Sequence, residues 1–206
     1  MKLFANITSI LFHPLLMVTY GVLLALNFTY LAIYPFTMKL YLAGGALLCS
    51  AIIPGLLILL MIKGGAATDM ELSDRRERAV PYLIFITANM VCMFYLSKLQ
   101  MPFWILSMFI GICLALFVAL CVNFFWKISV HAIGIGGLLG AVMGAAQIQM
   151  INPFWMFIWI ILASGLVCTS RIILEKHTPM QTYAGYGLGF ICTFGASFMN
   201  FIYLLI

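Results

Sequence analysis

PFWILSMFIGICLALFVALCVN, residues 102–123, contains no charged side chain. As a helix it is long enough to cross a bilayer, which takes about 20 apolar residues for about 30 Å of hydrocarbon. Segments of the same kind recur at roughly 14–33, 38–62, 80–98, 131–149, 154–172 and 181–205. Hydrophobic residues make up 66% of the 206 residues and charged ones 7%, against about 25% charged in a soluble domain. The expected fold is therefore an all-α integral membrane protein, a single domain over 1–206 built as a bundle of six to seven transmembrane helices. The connections at 34–37, 99–101 and 150–153 are short enough for tight turns between antiparallel helices. Residues 1–12 read as an interfacial half-helix ahead of the His13-Pro14 break. They lack a small-residue cleavage site and do not read as a signal peptide.

With apolar segments accounting for most of the chain, the polar stretches stand out. KGGAATDMELSDRRERAVP occupies 63–81, NFFWKISVH occupies 123–131, and SRIILEKHTPMQ occupies 170–181. Two crossings separate the first from the second, and two separate the second from the third. An even number of crossings returns the chain to the same side, so all three are expected on one membrane face. Lys2, Lys63, Arg75, Arg76, Arg78, Lys127, Arg171 and Lys176 share that face, with Lys39 and Lys98 opposite. The positive-inside rule makes the charged face cytoplasmic, with the cell inner membrane as the expected location. Arginines kept for anion binding weaken that count.

The third stretch carries the most chemistry. Arg171 offers a planar fork of donors that matches phosphate oxygens, and His177 offers a nucleophile or proton carrier. Thr178-Pro179-Met180-Gln181 has the pattern of a capping box with proline at the first helical position. It places an electropositive helix N-terminus beside His177. The second stretch adds Lys127, Ser129 and His131. The first adds Arg75, Arg76 and Arg78, and its Thr68-Asp69-Met70-Glu71 capping pattern suggests a short interfacial amphipathic helix. Asp69, Glu71, Asp74 and Glu77 suit arginine pairing better than Mg²⁺. Acidic residues in metal-ligand spacing are missing from the other two stretches, so neither a metal nor another cofactor is expected.

Three further features have structural readings. His13 before Pro14 reads as a polar group at a kink. Cys49, Cys92, Cys113, Cys121, Cys168 and Cys192 are scattered without a CxxC pair and read as small core residues. Gly134, Gly136, Gly137, Gly140 and Gly144, with Gly185 and Gly189, read as surfaces for close helix–helix packing.

The order of the three stretches resembles the type 2 phosphatidic acid phosphatase superfamily of membrane lipid phosphatases. Ser170-Arg171, five residues, His177, three residues and Gln181 follow that family's third motif, with Gln in the place of Asp. Ile128-Ser129-Val130-His131 follows the second motif in part, with Val130 in the place of Gly. Arg78-Ala79-Val80-Pro81 follows the first loosely, with Glu71 where the family has Lys. The resemblance spans roughly residues 63–205. It implies His177 as a nucleophile forming a phosphohistidine and His131 as the acid for the leaving alkoxide. Gln181 would be the orienting group, and Arg171, Arg78, Lys127, Ser129 and Ser170 the phosphate binders, with no metal. Gln181 carries no charge, and in a serine protease the comparable loss of charge costs about 10⁴ in rate. Glu175 is a substitute carboxylate if its loop folds back.

The expected activity is metal-independent hydrolysis of a phosphatidate, a phosphatidylglycerol phosphate or a polyprenyl (di)phosphate. The alternative is a catalytically weak lipid-phosphate-binding protein acting as a carrier or assembly partner, and a small unrelated transporter is the third reading. Membrane lipids are the expected partners and nucleic acid is not, since a net charge of +5 is too small. The sequence leaves homo-oligomerisation open.

Overall fold

A computed structural model describes residues 1–69 and 75–200. Helix α1, Lys2–Leu11, exposes Leu3, Phe4, Ile7, Ile10 and Leu11 and buries Ala5, Thr8 and Ser9. It meets α2, Pro14–Phe28, at a bend of 55°. Pro14 has no N–H to continue α1, and the His13 side chain caps the new helix by accepting from the Leu15 amide at 3.4 Å. Next come α3, Phe36–Leu47, and α4, Ile53–Lys63, joined through a π turn at Leu48–Ile52. Pro54 lies just beyond that turn, and its missing amide explains why the ladder widens there. The remaining helices are α5, Ala79–Lys98; α6, Phe103–Asn123; α7, Val130–Ile148; α8, Phe154–Ile173; and α9, Pro179–Ser197.

The described residues are helical and turn structure throughout, with no strand. Five helical segments are long and apolar enough to cross a membrane, the α3–α4 unit among them, and six if α1 and α2 form one bent span. α9 is not among them. Its Gln, Thr, Tyr and Gly residues lower its hydropathy, and residues 201–206 of the expected last segment lie outside the described residues. The amphipathic helix expected to start at Thr68-Asp69-Met70-Glu71 and carry the arginines lies in part on 70–74, also outside them, and its arginine end, Arg75–Arg78, is a short 3-10 turn. The Thr68 amide and hydroxyl are both taken by the Glu77 carboxylate, at 2.8 and 3.0 Å.

α7 and α9 are the most intimately packed pair. A methyl group on Gly189 would overlap the Ile133 carbonyl, one on Gly136 the Tyr186 carbonyl, and one on Gly185 would stand 2.7 Å from the Ser129 carbonyl. The Thr193 hydroxyl donates across the seam to the Gly137 carbonyl at 2.9 Å. The glycine stripe read from the sequence is thus a backbone-to-backbone contact, and it fixes the starts of α7 and α9 against each other.

Candidate functional site at one end of the bundle

The spacing between Arg171 and His177 has a local cause. α8 ends with Glu175 in the left-handed region at φ 56. The Glu175 amide donates to the Ile172 carbonyl at 2.9 Å and the Lys176 amide to the Arg171 carbonyl at 3.2 Å, a Schellman closure. The His177 amide reaches the same Arg171 carbonyl at 3.4 Å. Five intervening residues are one helical turn and its cap, and they bring His177 back over Arg171.

Thr178 then caps α9 with a full capping box: the Gln181 amide donates to the Thr178 hydroxyl, and the Thr178 amide donates to Gln181 Oε1 at 3.2 Å. That backbone donor fixes which end of the Gln181 amide is oxygen. The same oxygen lies 3.2 Å from His177 Nδ1. An oxygen can only accept, so Nδ1 carries the proton and Nε2 the lone pair. Burial, together with the nearby positive charge of Arg78, Lys127 and Arg171, pushes the His177 pKa down to about 3, against the opposing pull of the Gln181 hydrogen bond. The imidazole is neutral at ordinary pH, and the charges acting on it are cationic.

The start of α7 lies against the start of α9. The Ser129 amide donates to the Gln181 carbonyl at 3.3 Å, and the Ser129 hydroxyl caps α7 by accepting from Ala132 at 3.4 Å. His131 occupies the first turn. Two helix N-termini, each with its partial positive charge, thus adjoin within one corner. Arg78, at the entry to α5, donates from Nη1 to the Ile128 carbonyl at 3.0 Å and stands beside the Tyr82 hydroxyl. Lys127 is partly exposed, and its pKa is lowered by burial and by Arg78, Lys176 and Arg171, with Asp69 opposing.

The N-terminal helix closes the corner. The Ser9 carbonyl lies 3.3 Å from His131 Nε2, and the Ser9 hydroxyl accepts from Arg171 Nη1 at 3.3 Å. The His13 ring meets the His131 ring edge-on at 5.4 Å between centroids. Arg171 is only 2% exposed and Arg78 only 4%. The guanidinium groups are therefore held in a nearly dry pocket, where an anion interacts far more strongly than in water.

Arg78, Lys127, Ser129, His131, Arg171, His177 and Gln181, chosen from three separate stretches, converge here. Ser170 is buried beside Arg171 but makes no side-chain hydrogen bond to the cluster among the described residues. Glu175 does not fold back: it points outward and pairs with Lys2 at 3.8 Å across solvent-exposed surface. Glu77 clasps the loop before it, its carboxylate accepting from the Thr68 amide and hydroxyl. Among the described residues no three His, Cys, Asp or Glu side chains stand together as metal ligands.

Ser9, His13 and Tyr82 join the site without having been chosen from the sequence. Ser9 and His13 are four apart, one helical turn, which was the available signal for the first two. Tyr82, one turn beyond Arg78, had the same signal. No family model, no curated protein and no solved structure matches the chain.

Proposed function

We propose that this chain is a metal-independent lipid phosphate phosphatase acting through His177. The observation that carries the reading is the His177–Gln181 contact. It presents a neutral imidazole with the lone pair on Nε2, near the charges of Arg78, Lys127 and Arg171. In the proposed reaction those cations bind the phosphate oxygens. Nε2 forms a bond to phosphorus as the bond from phosphorus to the lipid oxygen breaks, and His131 supplies the proton that oxygen takes up. Water then attacks phosphorus, returning a proton to His131 as the phosphorus–nitrogen bond breaks, which releases phosphate and restores both histidines. The resemblance to the type 2 phosphatidic acid phosphatases supports the same roles. The substrate is a phosphatidate, a phosphatidylglycerol phosphate or a polyprenyl (di)phosphate in the inner membrane, with the charged corner on the cytoplasmic side.

Two observations favour a second reading, a lipid-phosphate-binding protein of little turnover. Gln181 supplies no charge to stabilise the cation on His177, and Ser9 holds the Arg171 guanidinium and the His131 ring. The test is phosphate release by the detergent-purified protein from a panel of lipid phosphates with EDTA present, beside His177→Ala. Release that survives EDTA and disappears in the variant supports the enzyme. Binding without release by either protein supports the second reading.

A further inference from the structure

Beneath the charged corner lies an elongated apolar cavity with an open mouth. Its upper lining includes Pro14 and Val130. These are the chain neighbours of His13 and His131, whose rings touch. Its lower end is walled by Phe28 and Trp104. Trp104 is held in place there by its indole N–H donating to the Tyr30 hydroxyl at 3.1 Å. Pro14 and Phe28 are the two ends of α2, so the cavity runs beside the whole helix, about 21 Å at 1.5 Å per residue. An anion-binding corner adjoining an apolar channel has the polarity of an amphiphile.

We propose that this cavity receives one hydrocarbon chain of the lipid phosphate and measures its length, with Trp104 as the floor. The proposal rests on the lipid-phosphate reading of the corner for its headgroup, and it names the part of the substrate that the charged residues do not see. An extended chain advances about 1.3 Å per carbon, given C–C bonds of about 1.5 Å in a zigzag. About 21 Å therefore takes about 16 carbons.

Gly21 marks the half-way depth, seven residues below Pro14 on the cavity wall. A methyl group built there meets only the Leu138 side chain, at an ordinary 3.6 Å. A leucine at this position is accommodated by the backbone and projects into the channel. Ala25, one turn deeper, also lines it.

The experiment measures binding of alkyl phosphates of 8, 12 and 16 carbons, chain lengths set by the depth estimate of about 1.5 Å per residue, to the purified full chain by displacement of a fluorescent long-chain phosphate. Wild type is expected to prefer the longest chain at least tenfold over the shortest. Gly21→Leu should abolish that preference while leaving the shortest ligand within about twofold, a mild change since the plug lies below its reach. Ala25→Leu should move the cut-off deeper, and Trp104→Ala should let an added alkyl phosphate of about 20 carbons, too long for the wild-type depth of about 21 Å, bind as well as the 16-carbon one. Gly187→Leu, where an added methyl meets nothing, controls for replacing a helical glycine. Unchanged chain-length preference in folded Gly21→Leu and Ala25→Leu overturns the proposal. Phosphate release is measured separately. Its absence with the chain-length pattern intact removes the phosphatase reading and leaves the cavity, whereas release with no chain-length effect does the reverse.

Discussion

In the proposed phosphatase, Gln181 sets how well the nucleophile His177 works. Its side-chain oxygen has two tasks, accepting from the Thr178 amide and orienting His177. Glutamate can perform both, because capping boxes accept either residue. It adds the charge that a developing imidazolium needs. Gln181→Glu is expected to raise the rate of phosphate release by about tenfold or more, given the rate of about 10⁴ lost when a serine protease gives up the comparable charge. Steady-state release assays on the two proteins decide this; an unchanged or lower rate removes the orienting role. The depressed pKa of His177, about 3, has a separate consequence for stability. Below the ordinary histidine pKa of about 6.5 the unfolded chain takes up a proton that the folded chain refuses. The contribution of this group is therefore neutral above that range and becomes increasingly destabilising as pH falls toward 3. Thermal unfolding in detergent from pH 7 to pH 4 (a window of about three units around and below the ordinary value) should show a smaller decline in His177→Ala than in wild type.

The helix ends do much of the work of assembling the corner. α5, α7 and α8 are each followed by a non-glycine residue in the left-handed region, Gln100, Met150 and Glu175, at φ 57, 53 and 56; Glu175 closes the corner, and the other two close turns at the opposite end of the bundle. Such a conformation costs an L-residue about 1–2 kcal/mol. Glu175→Gly should therefore stabilise the protein by about 0.5–1 kcal/mol, allowing for the greater freedom of glycine in the unfolded chain. Its exposed contact with Lys2 offers little to lose. Equilibrium unfolding of the variant checks the sign. These caps also show where sequence reading stops. The pairing of Thr178 with Gln181 was legible because side chain and spacing both signal it. The turn at Glu175 was not, because a glutamate carries no mark of a left-handed backbone. The α1–α2 bend was visible in His13-Pro14, but the partners of His13 and Ser9 were not, since they come from α7 and α8.

The bundle as a membrane object was legible from apolar segments alone, and the convergence of three polar stretches followed from counting crossings. The α7–α9 seam was legible as a glycine stripe, although not which helix it faced. The number of spans was less so. α2 has 15 residues, short for a crossing, and depends on α1 to complete one. α9 is too rich in Gly, Thr and Tyr to register by hydropathy. Both departures fall on helices that build the site, where a polar or small residue serves a purpose that lipid exposure would not permit.

That seam has a mechanical consequence. Carbonyls of α7 stand where any side chain on Gly185 or Gly189 would have to go, so α7 and α9 have no room to slide or rotate separately. His131 and the His177–Gln181 pair are therefore mounted on one stiff jaw. α1 touches that jaw through Ser9, whose carbonyl meets His131, and packs mainly on α8, with five of its ten residues facing outward as bare Leu, Phe and Ile. In the proposed lipid complex, α1 is the element expected to move when a headgroup arrives. Spin labels on α7 and α9 should keep their separation when a long-chain alkyl phosphate is added, while labels on α1 and α9 move apart. Equal displacement of both pairs would mean that the stiff jaw is not stiff.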